Sequence, residues 1–188
     1  MWELPKTITI DGKDYRITDD CDYRVILDCW KSLKNNDLAP IERTTEALFI
    51  FCDDFVAISQ LGADGYNEAT KQMFDIIDGD SKTHSIKSTQ YAKPIVDFEK
   101  DFPLIVSALL PILNYDIREV KYLHWWTFLS AFREIKDGVY GEVLRIRLKN
   151  AKGITLDKDE QKFYRENIEL VDIDFELTDE EKEFLFSD

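Results

Sequence analysis

Glycine and proline are scarce in this chain, at 7 and 5 of 188 residues. An all-β fold with many tight turns needs more of both, so the shortage favours helices. Cysteine occurs three times, at Cys21, Cys29 and Cys52. An odd count without a regular spacing argues against a disulfide framework and points to free thiols in a reducing compartment. Cys21 and Cys29 would stand about 12 Å apart on one helix, too far for a bridge. No apolar run approaches the roughly 20 residues of a membrane span. The N-terminal Met1-Trp2-Glu3-Leu4-Pro5 has neither the basic nor the apolar region of a signal peptide. Basic residues are outnumbered, 24 Lys/Arg against 38 Asp/Glu, for a net charge of −14. That balance disfavours nucleic acid, which needs a cationic surplus, and favours a basic protein partner.

Catalytic signatures are missing as well. There is no Gly-rich phosphate loop, no Cys-x-x-Cys and no Ser in a nucleophile-elbow context. The two histidines, His84 and His124, lack a partner at zinc spacing. Asp53 and Asp54 are adjacent, and neighbours on a helix point apart, so a solvated face explains them better than a metal site. Cys52 beside them reads as a small core residue. No catalytic, cofactor-binding or metal-ligating residue is expected, and the chain is not expected to be an enzyme.

What is present is a core. The hydrophobic fraction is 44% and aromatics reach 13%, enough for a chain of this length to fold without staples. Thr7-Ile8-Thr9-Ile10, Asp11-Gly12 and Lys13-Asp14-Tyr15-Arg16-Ile17 predict a hairpin over 7–17, because apolar residues alternate around a dipeptide that accepts positive φ. A hairpin that small must lie on helices. Asp19 and Asp20 are read as the cap of a first helix reaching about Asn36. Pro40 opens a second, whose run Ala47-Leu48-Phe49-Ile50-Phe51 is expected to be buried. After a break over 61–65, a third spans about 67–77. Residues 78–90 are polar and aperiodic and predict an exposed loop. A fourth helix covers about 97–113, ended or kinked by Pro111.

Asp116 is read as the cap of a fifth helix over about 117–136, ended by Gly138. It contains Tyr122-Leu123-His124-Trp125-Trp126, the most informative stretch of the chain, with two of its four tryptophans side by side. Polar residues fall at Lys121, His124, Thr127, Ser130 and Glu134, a narrow stripe on an apolar cylinder. Such a helix is central in a domain or covered by a partner. Tyr122, His124, Trp125 and Trp126 are therefore candidate core or interface residues, with His124 on the stripe expected at an exposed or interfacial position. Residues 139–150 fit both a strand alternation and a helical spacing at Tyr140, Leu144 and Leu148; helix is favoured. Asp157 with Glu160 makes a capping box for a helix to about Leu170.

Charge is uneven. Residues 157–188 hold 13 Asp/Glu against 4 Lys/Arg, and residues 118–152 hold 8 Lys/Arg against 4 Asp/Glu, so the two segments can neutralise each other across the surface. Thr178 with Glu181 repeats the capping pattern before Phe184, Leu185 and Phe186. These three are candidate partner-docking residues on an acidic tail or short docked helix, 173–188. The fold expected is mainly α: a single helical domain over 1–172, of about six to eight helices with an N-terminal β-hairpin.

The run Leu123-His124-Trp125-Trp126-x-Phe128 resembles the gene-product-fifteen family of phages and prophages of Gram-positive bacteria. Four further pieces agree with it: Ile10-Asp11-Gly12-Lys13-Asp14-Tyr15, Val96-Asp97-Phe98-Glu99-Lys100-Asp101, Leu144-Arg145-Ile146-Arg147 and Phe163-Tyr164-Arg165. The resemblance spans about residues 4–172. It implies a non-enzymatic, tail-assembly-chaperone-like protein of the phage tail module, encoded near the tape-measure gene and acting in the host bacterial cytoplasm. Tail proteins, the tape-measure protein first, would then be its partners. No cofactor, nucleic acid or membrane is implied, and self-association is left open. The alternative class is an acidic inhibitor or DNA mimic that binds a basic host protein.

Overall fold

A computed structural model describes residues 3–79 and 95–173. Among the described residues the chain forms one two-stranded sheet and nine α-helices. It divides into two compact units, Met1–Ile86 with Leu109–Glu134, and Lys87–Ala108 with Ile135–Asp188.

In the first unit, β1 (Thr7–Ile10) pairs antiparallel with β2 (Lys13–Arg16), with Ile8 opposite Tyr15. Asp11 and Gly12 take φ of 51° and 76°, the positive pair the tight turn requires. Ile8, Ile10, Tyr15 and Ile17 are buried. The expected alternation holds because one face of so small a sheet must lie on helices. The free edge of β1 is closed by one side chain. Gln72 accepts a hydrogen bond from the Thr9 amide at 3.0 Å and donates to the Thr9 carbonyl at 2.7 Å.

The helices of this unit are α1 (Tyr23–Lys34), α2 (Pro40–Phe51), α3 (Phe55–Ser59), α4 (Gly62–Ile77) and α6 (Trp125–Arg133). Helix α5 (Phe102–Leu113) contains the boundary between the units, at Ala108 and Leu109. Helix α1 begins later than expected. Asp19, Asp20 and Cys21 all have positive φ, so Thr18–Asp20 is a short 3-10 turn, and Asp22 is the residue that caps the helix, accepting from the Arg24 amide. Helix α2 starts at Pro40 as expected. Its face does not follow expectation: Ala47, Leu48 and Phe51 are buried, whereas Phe49 is exposed. The expected break over 61–65 is the first turn of α4, with α3 just before it.

The second unit contains α7 (Gly138–Ala151), α8 (Lys158–Glu166) and α9 (Ile168–Val171). Residues 139–150 are helical, the favoured of the two readings. Gly138 opens that helix, with φ 80°, and does not end the preceding one. Asp157 caps α8 through the Asp159 and Glu160 amides, and Glu160 returns the bond to the Asp157 amide. Most of the predicted loop, residues 80–90, and the tail with Phe184, Leu185 and Phe186 lie outside the described residues.

Candidate functional site

The Tyr122–Trp126 block sits in the first unit, but not in the middle of a long helix. Helix α5 ends at Leu113 and Asn114 follows with φ 61°. Asp116 does accept from the next amides but one, at Arg118, and there it shapes a turn. The chain then runs irregularly until His124, which is the N-cap of α6. His124 is therefore not on an exposed stripe. It is 2% exposed, and both its ring nitrogens are engaged. Nδ1 accepts from the Trp126 amide at 3.0 Å, and Nε2 stands 2.9 Å from the Pro5 carbonyl oxygen. A carbonyl only accepts, so Nε2 carries the proton and Nδ1 is the free base. Burial lowers the His124 pKa, against the opposing bond to Pro5.

The adjacent indoles act on α4. Trp125 Nε1 donates to the Ile77 carbonyl at 2.8 Å, and Trp126 Nε1 donates to the Ile76 carbonyl at 3.0 Å. These are two of the last carbonyls of α4, which have no partner within the helix. Two neighbouring tryptophans thus close the C-terminus of another helix. Trp125 is buried and its ring stacks on Phe128, which in turn stacks on Tyr23. Trp126 is half-buried and Tyr122 is exposed. Gly79, at φ 71°, ends the α4 turn where a Cβ would fall 2.7 Å from Leu129 Cδ1.

The same block is tied to the start of α1. The amide of Tyr23 donates to the Leu123 carbonyl, and the amide of Trp125 donates to the Cys21 carbonyl. Asp22 Oδ2 accepts from the Leu123 amide at 2.8 Å. Arg24 holds Asp22 and reaches the Ile117 and Val120 carbonyls. This lacing keeps 117–123 from being helix.

The second unit has its own polar centre. The Arg147 guanidinium pairs bidentately with Asp101, at 2.6 and 2.9 Å, with both side chains almost wholly buried. Its remaining donors go to the carbonyls of Ile95, Leu170 and Val171. Asp101 also accepts from the Tyr140 hydroxyl and from the Asp97 amide. Burial and the neighbouring Asp101 carboxylate hold the Tyr140 phenol well above its usual pKa. Sequence reasoning did not single out this pair, although Asp101 and Arg147 each end one of the weaker segments that carried the resemblance. A buried arginine has no periodic signature.

The remaining sequence candidates are placed as follows. Cys21, Cys29 and Cys52 are free and buried. Burial pushes the first two thiols up to about 12 and Cys52 to about 11, so none is a thiolate near neutrality. Asp53 and Asp54 are exposed; Asp53 faces Arg16 at 3.8 Å, and Asp54 accepts from the Arg16 amide. Among the described residues no cluster of His, Cys, Asp or Glu is arranged to hold a metal. No described helix is long and apolar enough to cross a membrane.

No curated protein and no solved structure matches the chain. The family model described as bacteriophage Gp15 protein matches residues 1–173, and the chain belongs to that family.

Proposed function

We propose that this protein is a non-enzymatic factor of phage tail morphogenesis that binds the tape-measure protein and keeps it soluble until the tail assembles, in the cytoplasm of the host. Family membership supports a phage structural or morphogenesis role. The finer reading rests on one observation: among the described residues, His124, Trp125, Trp126 and Arg147 are spent on the fold. Both nitrogens of His124 hold backbone groups. The indoles of Trp125 and Trp126 close α4. The guanidinium of Arg147 is filled by one carboxylate and three carbonyls. A general base needs a free lone pair, and a nucleophilic cysteine needs a thiolate. Function is thereby left to the surface, which carries a net charge of −14 suited to a basic partner. A tape-measure protein is a long helical client, and helices are held through apolar anchors in a complementary face.

Co-expression with the tape-measure protein of the same phage tests this. The expected result is a larger soluble yield of the tape measure and a complex that co-purifies. A tape measure equally soluble alone, with no complex, contradicts the reading.

A further inference from the structure

Helix α2 turns one face outward that its composition does not predict. Ile41 and Phe49 are 63% and 62% exposed, and Val56 on α3 is 68% exposed. Ile41, Thr45 and Phe49 follow one another at i, i+4 and i+8, so they form a stripe about 12 Å long. The Phe49 ring meets Phe55 edge to face, with centroids 5.5 Å apart, which joins the stripe to α3, the short helix that also exposes Val56. The polar atom in the stripe needs no water: the Thr45 hydroxyl donates to the Ile41 carbonyl at 2.8 Å and contacts the Tyr66 hydroxyl at 2.8 Å. The opposite face of α2 supplies Ala47, Leu48 and Phe51 to the core, so the outward apolar residues are surplus to folding.

The surroundings are acidic. Residues 37–78 contain nine Asp/Glu against Arg43 and Lys71, and Arg16 of the hairpin adds one cation, 3.8 Å from Asp53. Arg43 is turned to the Leu38 carbonyl, and Lys71 faces Glu68 at 3.9 Å. An apolar stripe in an acidic field fits an apolar ridge flanked by cations. A second copy of the chain fits poorly, because it brings the same acidic field to its own stripe.

We propose that the α2–α3 stripe is the docking face for a basic amphipathic helix, with apolar residues at i, i+3, i+4 and i+7 and Lys or Arg beside them. The chemistry of that helix rests on this face. Its identity as a segment of the tape-measure protein rests on the function proposed above.

The test uses the full chain and a helical peptide of about 20 residues, with leucine at those positions and lysine elsewhere, read by fluorescence anisotropy. A peptide with glutamate in place of lysine is the comparison. The intact protein binds the lysine peptide and not the glutamate peptide. The double variant Phe49→Ser with Val56→Ser binds about tenfold more weakly or worse, with its melting temperature unchanged. The variant Val139→Ser with Ile154→Ser, which removes exposed apolar residues elsewhere, binds like the parent. Should the double variant misfold, Ile41→Ser alone reads out the same face. Equal binding by the parent and the stripe variants overturns the proposal, because charge alone then explains the attraction. So does equal binding of the glutamate peptide, or a parent dimer that the stripe variants dissociate.

The tape-measure arm separates the two claims. A tape-measure complex that survives Phe49→Ser with Val56→Ser overturns the stripe and leaves the function standing. Peptide binding at the stripe with no tape-measure complex overturns the function and leaves the stripe standing.

Discussion

Trp125 and Trp126 are neighbours in sequence with different weights in the fold. Trp125 is buried, stacked and hydrogen-bonded, so Trp125→Ala removes a large core side chain and should cost about 3–5 kcal/mol. Trp126 is half-buried, and the Ile76 carbonyl it serves also accepts from Gly79, so Trp126→Ala should cost about 2 kcal/mol. Denaturant unfolding of the two variants measures both, and the reverse order would contradict the capping geometry. His124 adds a pH effect of definite sign. Its folded pKa is lowered, so the unfolded chain binds the proton more readily. Stability from this group is full above the unfolded value of about 6.5 and is lost as pH falls from there through the lowered folded value. Lys6 works with burial here, while Asp20 and Asp22 oppose it. Melting between pH 7 and pH 5 should therefore drop in the parent. His124→Asn, which keeps a cap acceptor, should flatten that drop. At this scale the sequence singled out Trp125 and Trp126 through their pairing alone. It put His124 on a polar stripe because the stripe presumed a helix that starts at Asp116.

Elements were legible where local signals agree with what surrounds them. The hairpin, the Pro40 start and the Asp157 capping box are all closed by residues within a few positions. They were misread where the chain is held from afar. Asp19 and Asp116 are acidic residues of the kind that cap helices, yet each opens a turn. The helices actually begin at Tyr23 and Trp125, because Asp22, Arg24 and His124 reach across more than 90 positions to set them. Phe49 was expected inside because the run 47–51 is apolar throughout, and a continuous run hides which face is turned out. The Arg147–Asp101 pair was not foreseen, and it supports a prediction of its own. Arg147→Met leaves a buried carboxylate without its partner and should cost about 3–5 kcal/mol. Adding Asp101→Leu to that variant should restore part of the loss, since the unpaired charge goes too. A double variant no more stable than Arg147→Met would show that the pair is not the source of the cost. Urea midpoints of the three proteins settle it.

At the scale of the whole molecule, the acidic end was expected to separate from the fold at about residue 172. Among the described residues, contacts reach Ile173. Val171 supplies a carbonyl to Arg147, Asp172 accepts from the Tyr164 hydroxyl, and Lys100 donates to the carbonyls of Asp172 and Ile173. A chain ended at Ile173 keeps these groups. A chain ended at Leu170 loses them and should melt several degrees below the chain ended at Ile173. Equal melting of the two truncations would remove Val171–Ile173 from the account of stability.

The central claim is that this protein serves tail assembly by binding. Deleting its gene from the phage that encodes it, and imaging the lysate by electron microscopy, tests that claim most directly. The account predicts filled heads without tails, with the tape-measure protein in the insoluble fraction and both defects repaired by the gene supplied in trans. Tails of normal number and length from the deletion phage would contradict it.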